Sequence, residues 1–159
     1  MQTVLLTGGS GYIGTHTCLT LLKSGLNVIV IDSNINSKKI ALKRVLEIYQ
    51  SLTQKYNNQL FFIKGDIRNE RLLNEIFEKA QGEKIPIEAV IHLAGLKSVR
   101  ESINNPLTYW DTNVCGSTNL LKCMMKHNCN TIVFSSSATI YGMQEKGLSI
   151  KEDAILSPI

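Results

Sequence analysis

The seven residues Gly8-Gly9-Ser10-Gly11-Tyr12-Ile13-Gly14 constrain this chain more than any other stretch. They follow a short apolar and β-branched run, Thr3-Val4-Leu5-Leu6-Thr7. After them come apolar residues at Ile13, Cys18, Leu21 and Leu22, and then Gly25. A run without polar alternation suits a parallel strand buried on both faces. The spacing beyond the turn predicts an amphipathic helix over Tyr12 to Ser24, with Gly25 as its stop. Gly9 to Gly14 satisfies G-x-G-x-x-G, and Gly8 adds the overlapping G-x-x-G-x-x-G form. Between a buried strand and a helix, such a turn reads as a phosphate cradle. Gly8 and Gly11 let the backbone turn tightly and approach a pyrophosphate, while Gly14 lets the helix pack closely on the sheet. The helix start offers unpaired N–H groups and the positive end of its dipole.

The same alternation continues to residue 134. Val28-Ile29-Val30-Ile31 predicts a second strand, and Leu60-Phe61-Phe62-Ile63 a third. Ala89-Val90-Ile91-His92-Leu93 and Thr131-Ile132-Val133-Phe134 predict the fourth and fifth. Between them, a helix over about Lys38 to Tyr56, capped by Ser37, turns Ile40, Val45, Ile48 and Leu52 inward. Another spans about Glu70 to Lys79 through Leu72, Leu73, Ile76 and Phe77. A long helix starts with Asn105 as cap and Pro106 at its first position, and Leu107, Trp110, Val114, Leu121 and Met125 lie near one stripe of it. Five strands alternating with four helices predict an α/β fold, a Rossmann-like doubly wound parallel sheet with helices on both faces.

With 159 residues, 43% of them hydrophobic, the chain is long enough for one domain with a real core. The net charge of +4 is mild, and only Lys38-Lys39 and Lys43-Arg44 are paired basic residues, so no basic stripe points to nucleic acid. No apolar run approaches the roughly 20 residues that would span a membrane. Met1 leads straight into a strand without a signal-like segment, so a soluble cytoplasmic protein is expected. Cys18, Cys115, Cys123 and Cys129 form no C-x-x-C pair and have no histidine at zinc-ligand spacing; half-buried reduced thiols and no metal are expected.

In an open parallel sheet the ligand crevice lies beyond the carboxyl ends of the strands. Asp32 ends the second strand 18 residues after Gly14, near the ~20 expected of an acid that bonds an adenosine ribose. A carboxylate there repels a 2′-phosphate, favouring NAD over NADP; the alternative role is a loop cap. Asp66, after the third strand, either accepts from the adenine amino group or caps its loop. Ala94 and Gly95 are small enough for a cofactor to lie over them, and Lys97 has the reach for a ribose or phosphate. Ser135-Ser136-Ser137, with Thr139 and Tyr141 beyond, offers hydroxyls to a substrate oxygen undergoing hydride chemistry, or is simply a loop. His16, His92 and His127 read as structural.

Four segments together resemble the extended short-chain dehydrogenase/reductase superfamily, and within it the UDP-glucose 4-epimerase family of galactose metabolism. They are Thr7 to Gly14, Gly65-Asp66-Ile67-Arg68, His92-Leu93-Ala94-Gly95-Leu96-Lys97, and Ser135 to Gly142. Glu101-Ser102, Pro106-Leu107 and Asn113 extend the match. The resemblance implies an isomerase cofactor site. Tyr12 and Ile13 would contact NAD, with Asp32, Ser33, Asn34, Ile35, Asn36 and Ser37 around the adenosine end. Asp66 and Ile67, then Leu93, Ala94, Gly95, Leu96 and Lys97, would complete it, with Thr112 where the family commonly has Asn. Asn113 resembles a structural asparagine, and Ser137 resembles the catalytic serine that bonds the sugar 4-hydroxyl. The implied reaction interconverts UDP-galactose and UDP-glucose: hydride leaves C4 for NAD, the 4-keto sugar rotates, and hydride returns to the other face.

The resemblance also implies a tyrosine base four residues before a lysine, and that pair is not in this sequence. Positions four after Tyr12, Tyr49, Tyr56, Tyr109 and Tyr141 hold His16, Thr53, Leu60, Asn113 and Glu145. In the family the pair follows shortly after a stretch like Asp153 to Pro158. The 159 residues are therefore expected to be the NAD-binding portion, without the substrate domain and inactive alone, of an enzyme that is a homodimer when complete. Two other readings stand beside this one. One is another sugar-nucleotide epimerase or 4,6-dehydratase, although Ala138-Thr139 stands where a dehydratase carries an acidic pair. The other is a non-enzymatic dinucleotide sensor.

Overall fold

The computed structural model describes residues 2–54, 59–142 and 149–158. Five strands, β1 (Thr3–Thr7), β2 (Asn27–Asp32), β3 (Leu60–Lys64), β4 (Ile87–His92) and β5 (Thr131–Phe134), form one parallel sheet in the order β3-β2-β1-β4-β5. The chain runs outward from β1 through β2 to β3, then returns to build β4 and β5 on the other side. β1 and β4 therefore flank the point where the winding reverses, the place such sheets keep for a ligand. Thr7, the last residue of β1, pairs with Ile31 on one side and His92 on the other.

Alternate residues of the central strands feed two separate cores. Leu5, Ile29, Ile31 and Val90 join Leu73, Ile76 and Phe77 of α3 (Glu70–Gly82) on one face, with Leu120, Cys123 and Met124 of α6 (Gly116–Lys126). Leu6, Val28 and Val30 join Cys18 and Leu22 of α1 (Tyr12–Lys23) and Leu42, Val45 and Tyr49 of α2 (Ile40–Thr53) on the other. Helices thus cover both faces, as the doubly wound Rossmann-like pattern predicts. β5 differs: all four of its residues are exposed, Val133 and Phe134 by 58% and 60%.

The helix ends follow local chemistry. Gly25 takes φ +80° after α1. Its N–H donates to the Leu22 carbonyl, and the Leu26 N–H to that of Leu21, which closes the helix with the paired bonds of a Schellman motif. Asn69 caps α3, accepting from the Leu72 N–H. Other sequence expectations are corrected. Ser37 does not cap α2, whose start has no side-chain cap, because its hydroxyl donates to Asp32. The expected end of α2 at Tyr56 lies outside the described residues. Of the four residues read as its inward face only Val45 is buried; Ile40, Ile48 and Leu52 are exposed, and Leu42, Val45 and Tyr49 point inward instead. With apolar residues on both sides of a helix, periodicity alone cannot choose the face.

The long fourth crossover is also more broken than expected. A short α4 (Val99–Asn104) comes first, capped by Ser98, which accepts from the Glu101 N–H. The spacing Ser98-x-x-Glu101 is a capping-box signal that the sequence carries. Pro106 then opens α5 (Pro106–Trp110), but Asn105 makes no side-chain cap bond. A π-helical turn over Asp111–Cys115 leads into α6. The stripe of Leu107, Trp110, Val114, Leu121 and Met125 is exposed, and the buried row is Gly116, Leu120, Cys123 and Met124. Cys18, Cys123 and Cys129 are fully rather than half buried, and Cys115 is exposed. Burial pushes the Cys18 thiol up to about 12, so it stays protonated. No helix of the described residues is long and apolar enough to cross a membrane.

Two unfolding measurements test this packing. Leu73→Ala removes a fully buried side chain and is expected to cost about 2–5 kcal/mol in urea unfolding. Leu107→Ala, on the exposed stripe, is expected to change stability by no more than about 0.5 kcal/mol; a loss as large as that of Leu73→Ala would mean the stripe is packed.

Candidate dinucleotide-binding site

The glycine turn is held by backbone contacts that tolerate no side chain. Gly8 has φ +68°, a left-handed conformation that favours glycine, and a Cβ on it would stand 2.8 Å from the Ala94 nitrogen. A Cβ on Gly14 would stand 2.5 Å from the Gly8 oxygen and 2.6 Å from the Gly9 Cα. The first turn of α1 therefore rests directly on the turn that precedes it. Gly11 precedes the helix without a side-chain cap, and no acid occupies the first turn. Helix-start N–H groups left without a side-chain cap suit an anion.

Beyond the ends of β1 to β4 lies a cleft of about 320 Å³. Gly8, Gly11, Tyr12, Ile13 and Gly14 line one side of it. Asp32, Ser33, Ile35 and Asn36 approach from the end of β2, and Asp66 and Ile67 from the end of β3. Leu93 to Lys97, the loop after β4, and Thr112 of the π turn close the remaining wall. The structure thus brings together most of the residues singled out from sequence. Gly65 and Ser135, which the sequence marks in the segments after the third and fifth strands, line it too, and Ile31 is added by the structure.

Asn34 and Ser37 do not line the cleft; they stand behind Asp32. The Asp32 carboxylate accepts from the Ser10 N–H at 2.9 Å through Oδ2. Its Oδ1 accepts from the Asn34 N–H at 2.9 Å and the Ser37 hydroxyl at 2.7 Å. Asp32 is thus a loop cap and a cleft residue at once, and its acceptor capacity leaves room for another donor. Asp66 likewise caps its loop, accepting from the Arg68 N–H. The Arg68 guanidinium bonded to it holds its carboxyl below the usual carboxylate range, against the opposing effect of burial. Arg68 also pairs with Asp111 at 2.8 Å, tying the β3 loop to the π turn.

Asn113 fixes the β4 loop. Its Oδ1 accepts from the Leu96 N–H at 2.8 Å and its Nδ2 donates to the Leu96 carbonyl at 3.0 Å. Ser137 is not in this cleft. It caps the short 3₁₀ turn Ala138–Tyr141 and lines a neighbouring cleft of about 210 Å³ with Ser136, Asn113 and Phe134. The two clefts share Leu93, Ala94, Gly95, Lys97 and Ser135.

The residues fit a dinucleotide. Gly8 and Gly14 keep side chains out of the cradle, the helix start is uncapped, and Ser10 Oγ is buried without a hydrogen-bond partner among the described residues. Gly14→Ala forces backbone apart from backbone and is expected to cost about 1–3 kcal/mol of stability in urea unfolding; an unchanged midpoint would show that the contact yields.

His92, 2% exposed, ends β4 between Thr7 and Ser117. Burial, aided by the positive Lys97, lowers its pKa to about 4 from an ordinary 6.5. The unfolded chain binds the proton near 6.5 and the folded chain only near 4, so acid favours unfolding. The penalty is absent above pH 6.5, grows as pH falls and levels off below about 4 near 3 kcal/mol. Urea midpoints are expected to fall between pH 7 and 4.5, and less steeply in His92→Asn; parallel profiles would refute the assignment. His127 stacks on Phe77 and bonds Asn74, and His16 meets the Tyr12 ring edge-on.

A family profile described as GDP-mannose 4,6 dehydratase matches residues 5–159. The bifunctional UDP-glucose 4-epimerase and UDP-xylose 4-epimerase 1 of Pisum sativum is 48% identical over 145 residues, which is 91% of this chain and 39% of that protein. UDP-glucose 4-epimerase of Klebsiella pneumoniae is 47% identical over 90% of this chain and 94% of the relative's length. Among solved structures, Bifidobacterium longum UDP-glucose 4-epimerase in complex with NAD+ and UDP superposes with a TM-score of 0.82 at 42% identity. That match covers 98% of this chain and 43% of the other. The glycine cradle, the Asp32 carboxylate and the loop after β4 are thus set in a sequence and fold shared along nearly its whole length, and the chain belongs to the GDP-mannose 4,6 dehydratase family and, within it, to the UDP-glucose 4-epimerases.

Proposed function

We propose that residues 1–159 form the NAD-binding domain of a UDP-glucose 4-epimerase whose complete form interconverts UDP-galactose and UDP-glucose. The observation that carries this reading is the convergence of the Gly8–Gly14 turn, Asp32 and the Leu93–Lys97 loop on one cleft. In it the uncapped N-terminus of α1 receives the pyrophosphate, and Asp32 receives the ribose hydroxyls while repelling a 2′-phosphate. Bound NAD would supply the hydride acceptor for the sugar C4. Lys97 and Ser135 border both clefts, and Ser137 offers its hydroxyl in the second, where it holds the sugar 4-hydroxyl. Thr112 lines the first cleft at a position where the family commonly has an amide.

No tyrosine in the sequence stands four residues before a lysine, so this chain supplies no such base, and we assign it binding without turnover. The exposed apolar stripe from Leu107 to Met125 supports pairing of the complete protein as a homodimer.

Calorimetric titration with NAD and with NADP tests the binding, and NADP is expected to bind at least about tenfold more weakly because two like charges meet at Asp32. Failure to bind NAD, or preference for NADP, would overturn the reading. A parallel incubation with NAD and UDP-galactose is expected to form no UDP-glucose; sustained turnover would show that the chain carries its own base.

A further inference from the structure

The buried Thr7 and His92 and the half-buried Asn113 and Ser117 beneath the β4 loop form a hydrogen-bond circuit whose direction can be worked out proton by proton. Ser117 Oγ lies 2.6 Å from the Asn113 carbonyl, which only accepts, so the single Ser117 hydroxyl proton points there. His92 Nε2 lies 2.8 Å from the same Ser117 oxygen, which can now only accept, so Nε2 carries a proton. The neutral ring then leaves Nδ1 bare. Thr7 Oγ1, 2.6 Å away, must donate to it. A remaining lone pair of Thr7 Oγ1 accepts from the Ala94 N–H at 3.2 Å. The chain of donors therefore runs from Ala94 to Thr7, to His92, to Ser117 and to the backbone of Asn113. The Asn113 side chain closes it by bonding both the N–H and the carbonyl of Leu96.

We propose that His92, locked as its Nε2–H tautomer, is the positioning residue for the Ala94–Leu96 wall of the cleft. The circuit leaves the wall at Ala94 and rejoins it at Leu96, with Gly95 between. It crosses β1, β4 and the start of α6, so it also fixes the wall against Thr7, the residue that leads into the glycine turn. Every donor meets an acceptor in one direction only. The other tautomer would aim two lone pairs at each other at the Ser117 end and would turn the Thr7 hydroxyl proton away from the ring. The groups around the ring are Thr7 from β1, Ser117 from α6, the Phe134 ring of β5 at 5.5 Å and the cation of Lys97. Among the described residues no carboxylate acts on the ring to favour a doubly protonated form. That the wall belongs to a dinucleotide site rests on the function proposed above; the tautomer and the circuit do not.

The test uses the 159-residue chain, ¹⁵N-labelled, with Ser117→Ala and Thr7→Val. Long-range ¹H–¹⁵N spectra of the unmodified chain at pH 7 are expected to show His92 protonated at Nε2 and bare at Nδ1; protonation at Nδ1 overturns the proposal. Ser117→Ala removes the acceptor that holds Nε2–H, and the Nδ1–H form is expected to appear. Thr7→Val keeps the shape, and it is expected to retain Nε2–H while exposing the Ala94 amide to faster hydrogen exchange. Each variant is expected to weaken NAD binding about tenfold, and Ser117→Thr to restore it. If the unmodified chain binds NAD and both variants bind it equally well, the positioning role fails. If the unmodified chain does not bind NAD, the functional reading fails, and the tautomer with exchange at Ala94 decides the circuit by itself.

Discussion

The structure hangs on a contact between two pieces of backbone. The first turn of α1 lies against Gly8 and Gly9 so closely that a methyl group on Gly14 would sit 2.5 Å from the Gly8 carbonyl oxygen. On its other side Gly8 abuts the Ala94 backbone. Glycine turn, helix start and β4 loop are thus stacked with no side chain between them. Interlayer distance here is set by backbone van der Waals radii, which do not adapt, and not by rotamers, which do. Asp32 extends the arrangement sideways. By accepting from the Ser10 N–H it draws the end of β2 to the same turn, at a distance of 2.9 Å.

Around this point the molecule separates rigid support from exposed margin. Leu5 and Leu6 are both wholly buried although they point to opposite faces of β1. Each face then needs its own helical layer, α3 with α6 on one and α1 with α2 on the other. β5 receives little of that cover. Its exposed Val133 and Phe134 continue into Ser135 to Ser137, so the second cleft is walled by a segment with few buried neighbours.

How far the sequence could be read follows from the same division. Strands announce themselves as largely unbroken apolar runs, buried throughout only in β1 and β2, and all five were legible within a residue or two. The glycine turn was legible because close backbone approach excludes every other residue type. Helix orientation was less so. In α2, Ile40, Ile48 and Leu52 are as apolar as Leu42, Val45 and Tyr49, and only the position of α1 selects the second set. In the fourth crossover a π turn at Asp111–Cys115 breaks the 3.6-residue phase, so the row that is buried is not the one a straight helix would bury. The site was legible where a residue itself faces the cleft. It was not legible where a residue acts through a neighbour. Ser117, the acceptor beneath His92, and Ser37, behind Asp32, carry no spacing signal, because their roles depend on elements 25 and 5 residues away in the chain.

The π turn shows how such indirect roles combine. Within three consecutive residues, Asp111 pairs with Arg68, Thr112 faces the first cleft and Asn113 grips Leu96. An α-helix turns about 100° per residue, so three neighbours cannot share one face; the wider turn eases that limit. Pairs as exposed as Arg68 and Asp111 add little stability. Their effect is geometric, fixing the rotation of the helix at the point where it meets the cofactor cleft. That cleft draws on β1 to β4 and this turn, nearly all of it backed by core. The cleft holding Ser137 leans on β5 and a 3₁₀ turn, which are not. The two clefts therefore have unequal support, and the described residues hold the form of the cradle more firmly than the form of the neighbouring cleft.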